Sequence, residues 1–320
     1  MRINIPNSAF LGNIEPFIRS FDPGKPDELA VTFNQKWSSV HPIVLSMTAA
    51  LGMSVRSRNG KISCHDTTAK SMPYLCRMKL FDYLDFNPGI ELDEHESSGR
   101  FIPLTNIRNS DDLSRFIEEL VPLLHTSKNQ ADSIKYTISE LVRNVLEHAE
   151  SQVGALVCAQ FFKKTNRISI GVADAGIGIR QSIAFSHVVK DDGEAIKLAL
   201  IPGVTGKTAT PGGTEENAGA GLFFIKSIAK VNRNFFVIYS GKSMYKLLKT
   251  QGEARTTLYP DPTRDKHSLR EDLPSWQGTA VGVDISTSED QSFEQLLSKI
   301  RQAYSIDIKA RRNLKKARFI

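Results

Sequence analysis

Two apolar runs, Val153–Phe162 and Arg167–Ala173, are separated only by Lys163-Lys164-Thr165-Asn166. They read as consecutive strands joined by a short polar turn, which commits this half of the chain to a sheet built from neighbours. Helices are predicted before them, over about 111–125 and 129–150, with Ser127-x-x-Gln130 as a capping box for the second. An apolar helix, Leu222–Val231, follows. Asn234–Ser240, Met244–Lys249, Ala254–Tyr259 and Thr279–Ile285 are strand-like, and Phe293–Tyr304 predicts a closing helix. The expected fold class is an α/β two-layer sandwich, with helices on one face of a mixed, mostly antiparallel sheet.

The N-terminal part alternates differently. Glu28–Phe33 is β-prone, Pro42–Leu51 has the length and small residues of a buried helix, Met53–Ser57 alternates like a strand, and 69–83 has apolar residues at helical spacing. This predicts a small α/β unit. Residues 84–110 carry Asn87-Pro88-Gly89, an acidic run and Ser97-Ser98-Gly99, a linker composition. A boundary is therefore placed near 103, giving units over 1–103 and 104–290 and a C-terminal helix with basic tail over 291–320. A length of 320 residues agrees with about two domains.

No stretch approaches ~18 consecutive apolar residues, so no membrane span is expected. The first residues lack an apolar signal region, and Cys64, Cys76 and Cys158 are few and far apart. Both facts lead to the expectation of a cytoplasmic protein with reduced thiols. Cys64-His65 with Cys76 has no zinc spacing. The formal net charge is +6, and Lys309, Arg311, Arg312, Lys315, Lys316 and Arg318 supply six positive charges by themselves. The body is neutral on balance. The tail is read first as a solvated helix face and second as a contact for nucleic acid.

Three elements carry chemistry. In the 129–150 helix, Glu140, Asn144 and His148 recur at i, i+4 and i+8, so they share one face while Ile138, Leu141, Val142 and Val145 point into a core. Val172-Ala173-Asp174-Ala175-Gly176-Ile177-Gly178-Ile179 runs from a strand into a loop with alternate glycines. Asp174 there is an acceptor-only carboxylate, suited to the exocyclic amino group of adenine and opposed to the O6 acceptor of guanine. Asn217-Ala218-Gly219-Ala220-Gly221-Leu222 opens an apolar helix, where unpaired N–H groups favour a phosphate, and Gly203, Gly206, Gly212 and Gly213 precede it as a candidate lid. Gly206-Lys207-Thr208 is not the end of a phosphate-binding P-loop, because the required earlier glycine is Ile201.

Taken in order with Gly278-Thr279, these elements resemble the nucleotide-binding boxes of the gyrase, chaperone, histidine-kinase and mismatch-repair ATPase superfamily over about 110–290. The trailing His148-Ala149 is closest to the anti-sigma serine kinases and histidine-kinase-like ATPase domains. The resemblance implies a Bergerat-type ATP-binding fold with ATP and Mg²⁺ as cofactors. It implies that Glu140 activates the attacking water, Asn144 binds Mg²⁺ and Asp174 holds the adenine amino group. By the same resemblance Gly176 and Gly178 line the adenine pocket, Gly219 and Gly221 meet the phosphates, and Leu222 belongs to the cofactor-binding set. Thr279 then sits near the adenine, and His148 completes the helix row. The GAGLFF form departs from the commoner GLGL, and no phosphoacceptor histidine helix lies upstream. Residues 1–103 are similar to STAS-like domains of anti-sigma antagonists, where Ser38 or Ser39 occupies the regulatory-serine region, with helix capping as the plainer role.

The resulting expectation is an ATP-binding regulatory protein with Mg²⁺-dependent ATPase or protein serine kinase activity, with a protein partner or a second copy of itself. The alternatives are a nucleotide-gated interaction module with little turnover, or a nucleic-acid-associated ATPase using the basic tail.

Overall fold

The computed structural model describes residues 1–92, 101–124, 128–204, 206, 219–250, 257–286 and 293–316, with backbone alone at 120–124, 128–130, 293 and 307–316. The first part of the chain forms β1 (Arg2–Ile5), β2 (Ser8–Ala9), α1 (Glu15–Arg19), β3 (Glu28–Phe33), β4 (Ser39–Val40), α2 (Pro42–Ser57), β5 (Lys61–His65), α3 (Met72–Arg77) and α4 (Leu80–Leu84). There follow β6 (Phe101–Ile107), α5 (Ser110–Leu124), α6 (Lys128–His148), β7 (Ala155–Phe162), β8 (Arg167–Ala173), α7 (Gly178–Ala184) and α8 (Asp192–Ala199). The remainder is α9 (Gly221–Val231), β9 (Phe236–Gly241), β10 (Ser243–Leu247), β11 (His267–Arg270), β12 (Trp276–Ser286) and α10 (Phe293–Lys316).

The expected hairpin is present. β7 and β8 pair antiparallel from Leu156–Ala173 to Phe162–Arg167, and Asn166 takes a left-handed φ of 43° in the turn. Seven strands form one sheet in the order β11-β10-β9-β12-β8-β7-β6. All its pairings are antiparallel, so the expected mixed sheet is corrected to an antiparallel one. Among the described residues, parallel pairing is confined to β1-β3-β5 and to β2-β4 in the N-terminal region.

Strand alternation sorts the sheet's side chains between two cores. Ala155, Val157, Ile168, Ile170, Phe236, Ile238, Val281 and Val283 face the helices α5 to α10. Leu156, Cys158, Val237, Tyr239 and Ala280 face the N-terminal region instead, and share a core with Ile43, Met47, Leu51 and Phe81. Helices therefore cover both faces. The two-layer arrangement describes residues 101–286, and α2 supplies a further layer behind it.

This docking is close. Ser46 Oγ donates to the Gly171 carbonyl at 3.0 Å, and Cys158 Sγ donates to the Pro42 carbonyl at 3.4 Å. A side chain at Gly171 would overlap the Pro42–Ile43 backbone, so glycine in the middle of β8 is what lets the helix lie on the strand. Lys246 reaches Glu15 at 2.8 Å, Arg270 approaches it at 3.3 Å, and the Lys246 bond holds the Glu15 carboxyl below its ordinary range. The boundary expected near 103 falls within β6, an edge strand of the large sheet whose Leu104 belongs to the N-terminal core.

Three local expectations change. Met53–Ser57 is the last part of α2 rather than a strand, because Val55 continues the buried helical face and packing overrides β-propensity. The helix expected over 69–83 is broken into α3 and α4 by Lys79, at φ 59°. The strand expected over 254–259 lies partly outside the described residues, and 257–259 are irregular; β11 supplies the edge strand instead. Ser38 is buried with its N–H donating to Ser71 Oγ at 2.8 Å, while Ser39 lies in β4. Neither caps α2. His41 does, its Nδ1 accepting from the Ile43 N–H at 3.1 Å.

Candidate functional site

The polar row of α6 faces a cavity of about 500 Å³ between α6, α7, α9, α10 and the ends of β8 and β12. Glu140, Asn144, His148, Asp174, Gly178, Gly219, Gly221, Leu222 and Thr279 all line it. Residues from Glu140 to Thr279 thus meet in one concavity, whose size is that of an ordinary small-molecule site. Gly176 departs from expectation. Its place is beneath the cavity, against the end of α6, where a side chain would overlap the Ala149 carbonyl. Its N–H donates to Asp174 Oδ1 at 2.8 Å, so it positions the carboxylate instead of lining the wall.

Asp174 follows directly on β8 and is buried. Its backbone N–H donates to the Thr279 carbonyl at 2.9 Å, extending the β8–β12 ladder by one residue and fixing the side chain's direction. Oδ1 is held by Gly176, while Oδ2 is buried with no hydrogen-bond partner. Burial pushes this carboxyl up to about 7, opposed chiefly by the Gly176 N–H at Oδ1. Beside it, Ser240 Oγ donates to the Gly278 carbonyl at 2.7 Å and accepts from the Ile179 N–H at 3.0 Å. That pair of bonds pins the β12 loop to the start of α7, next to the cavity wall formed by Gly178 and Thr279.

At the other end, α9 begins with Gly221 directly against α6. A Cβ on Gly221 would lie 2.6 Å from Glu140 Oε2 and 3.6 Å from Asn144 Nδ2. Glycine there brings the α9 N-terminus, with its unpaired N–H groups, within reach of whatever Glu140 and Asn144 hold. Glu140 is raised above the ordinary carboxyl range, chiefly by burial, with Arg143 at 3.8 Å opposing and Glu147 adding to it. Asn144 Nδ2 is buried without a partner. Gly219 has φ 56°, and its carbonyl accepts from the Gly203 N–H at 3.1 Å, closing the loop base before α9.

No protein-family model matches this sequence, and no curated protein matches it at a significant level. The site's own geometry therefore carries the functional reading.

Among the described residues no group of three or more His, Cys, Asp or Glu is arranged to hold a metal. Asn144 is an amide that offers one oxygen, so a hard cation here needs further oxygens from water or from a bound anion. Of the glycines expected to form a lid, Gly212 and Gly213 lie outside the described residues, whereas Gly206 lines the cavity and the Gly203 N–H belongs to the Gly219 loop base.

Sequence reasoning missed several lining residues: Tyr136, Arg143, Phe224, Arg301 and Tyr304. Tyr136 stands four positions before Glu140, so the same spacing argument extends one turn further to it. Arg301 and Tyr304 carry no local signal. They arrive because α10 packs across α6 and α9, with Tyr304 6.4 Å from Phe224 and Phe224 6.0 Å from Tyr136, measured between rings. Among the described residues no helix is long and apolar enough to cross a membrane.

Proposed function

We propose that this cavity binds ATP with Mg²⁺ and that the protein is an ATP-dependent regulatory protein of the gyrase, chaperone and histidine-kinase type. The observation that carries the reading is Asp174. One of its carboxylate oxygens is fixed by Gly176 and the other is buried, unpaired and on the wall of a ligand-sized cavity. A buried unpaired acceptor is costly, so its retention is best accounted for by a ligand donor. The adenine amino group is such a donor, and the guanine O6 in its place would face a second acceptor. Beyond it, Asn144 would give one oxygen to Mg²⁺, which keeps water and phosphate oxygens for its other positions. Gly219 precedes α9 and Gly221 and Leu222 open it, where the phosphates would lie.

Glu140 supports turnover over passive sensing. Its carboxyl is held above the ordinary carboxylate range by burial and sits against the α9 N-terminus, placed as a general base acting on water or a protein serine hydroxyl. The test is direct measurement of ATP binding and phosphate release by the purified chain, with and without Mg²⁺, alongside Asp174→Asn. Binding that ignores this substitution, or equal affinity for ATP and GTP, would remove the adenine assignment.

A further inference from the structure

The strand that leads to Asp174 also has a start. Arg167 begins β8 and Asp174 follows its end, so the tip of the β7–β8 hairpin stands roughly 24 Å from the cavity at 3.4 Å per residue. An open concavity of about 540 Å³ lies at this tip, and its lining includes Phe10, Phe162, Lys163, Lys164, Thr165 and Arg167. Strand alternation sends Phe161 toward the core shared with the helices and Phe162 to the opposite face. There Phe162 meets Phe10 edge-on, with ring centres 5.7 Å apart. Neither ring belongs to either core, and both stay half-buried at the surface.

The cations around this aromatic pair differ in what they are free to do. The Arg167 guanidinium lies 5.5 Å from the Phe162 ring, and its Nε lies 3.4 Å from buried Asp284, which fixes its place and neutralises its charge. Lys163 and Lys164 are exposed and, among the described residues, have no ion pair or side-chain hydrogen bond. They are consecutive in a 3₁₀ turn, where successive side chains point about 120° apart, so their charges spread around the tip. Among the described residues the lining has no carboxylate. Its one hydroxyl, on Thr165, donates to the Phe162 carbonyl at 3.4 Å.

We propose that the hairpin tip binds single-stranded nucleic acid, with a base stacked against Phe10 and Phe162 and the flanking phosphates on Lys163 and Lys164. The proposal is independent of the ATP reading and uses a surface other than the basic C-terminal segment. Two free cations with no opposing acid select a polyanion. The rings then choose among polyanions. A duplex keeps its base faces inside its own stack, so only unpaired bases can use them. Peptide recognition draws on main-chain hydrogen bonds or on pockets for chosen side chains, and the one hydroxyl in this lining is already engaged. Stacking and charge without hydrogen-bond readout is the combination that suits sequence-tolerant binding of a single strand. The platform is formed in advance: the Phe10 N–H donates to Asn13 Oδ1 at 2.8 Å, and Asp284 braces Arg167, so little ordering is left for the ligand to impose.

The experiment is a fluorescence-anisotropy titration of the full chain at salt concentrations from about 50 to 200 mM. The probes are fluorescein-labelled oligo(dT) and oligo(U) of about 12 nucleotides, a duplex of the same length, and a peptide of Glu and Asp with one Trp. The proteins are the parent, Phe162→Leu, and the double variant Lys163→Gln with Lys164→Gln. The parent should bind a single strand at least about ten-fold more tightly than the duplex or the peptide. Removing both lysines should weaken binding and make the plot of log affinity against log salt shallower by about 1.4, since each phosphate contact on a single strand contributes about 0.7. Phe162→Leu keeps apolar bulk and removes the ring, so affinity should fall roughly five-fold or more with the salt slope unchanged. The lysines are exposed and Phe162 lies outside both cores, so thermal unfolding should match the parent, and Phe10→Leu repeats the ring test should Phe162→Leu unfold early. The proposal is overturned by a parent that binds no single strand at the lowest salt, or by unchanged affinity in either the lysine or the ring variant, which moves any binding to the C-terminal basic segment. Equal or tighter binding of the duplex or of the acidic peptide overturns it as well.

Discussion

Replacing Asp174 by Asn tests the site from two independent directions. Asn keeps an oxygen for the Gly176 N–H but turns an NH₂ group toward the position of the unpaired Oδ2. A ligand amino group then meets a donor where it met an anionic acceptor. Losing a charge-assisted acceptor costs about 1–3 kcal/mol, so ATP affinity should fall roughly 5- to 150-fold and preference over GTP should shrink. Without ligand the same change should stabilise. Asp174 moves from an ordinary value of 3.8 to about 7 on folding, because burial penalises its charged form. A folded carboxyl raised in this way contributes stability fully present below pH 3.8 and lost as pH rises through 7. At pH 8 the buried anion carries a penalty whose ceiling is about 4 kcal/mol, and Asn removes it. Thermal unfolding should therefore show Asp174→Asn above the parent at pH 8, with the gap closing toward pH 4. Calorimetric titration supplies the other arm: affinity for ATP should rise between pH 6 and 8 in the parent and stay flat in the variant. A variant that binds ATP as tightly as the parent, or is no more stable at pH 8, would refute the assignment of a buried, unpaired carboxylate to the adenine.

Glu140→Ala should keep nucleotide binding and lose about 10²-fold or more in phosphate release, as measured by a coupled assay, since a positioned general base contributes on that scale. Asp265→Ala should cost about 3–5 kcal/mol in urea unfolding, because Asp265 is the anion between the buried Lys226 and Lys230, and its loss strands two charges. A chain beginning at Leu104 should be insoluble or aggregated by size-exclusion chromatography, since it loses part of β6 and bares Leu156, Cys158, Val237 and Tyr239.

The site was more legible than the fold around it, for a physical reason. Glu140, Asn144 and His148 repeat at helical spacing, so one turn rule places them together. Asp174 is announced by a strand pattern that stops at alternate glycines. Such signals are local. Arg301 and Tyr304 reach the cavity only through the path of α10 across two other helices, and nothing within ten residues of them encodes that path. β6 was hidden inside a polar stretch because Pro103 and Asn106 weaken its pattern. It survives as an edge strand, where an irregularity between Ile102 and Thr105 accommodates the proline. The last turn of α2 alternates like a strand over Met53–Ser57, and only its burial against the sheet decides for helix.

The N-terminal region and the candidate site share one element, and this ties them together physically. β8 is buried on both faces: Ile168, Ile170 and Val172 face α6 and its neighbours, while Gly171 and Ala173 face α2. Its next residue is Asp174. The direction of that carboxylate follows from the β8–β12 register, in which Ala173 opposes Ala280 and the Asp174 N–H bonds the Thr279 carbonyl. α2 rests on the same two strands, through Gly171 and through Gly282, where a Cβ would lie 3.2 Å from Ile43 of α2 and 2.6 Å from Leu11 before it. Close packing transmits strain instead of absorbing it. A shift of α2 along β8 therefore has no slack before it reaches the strand end that aims Asp174. In this molecule the region before β6 is the floor under the site, and the glycines at 171 and 282 are the places where that floor touches.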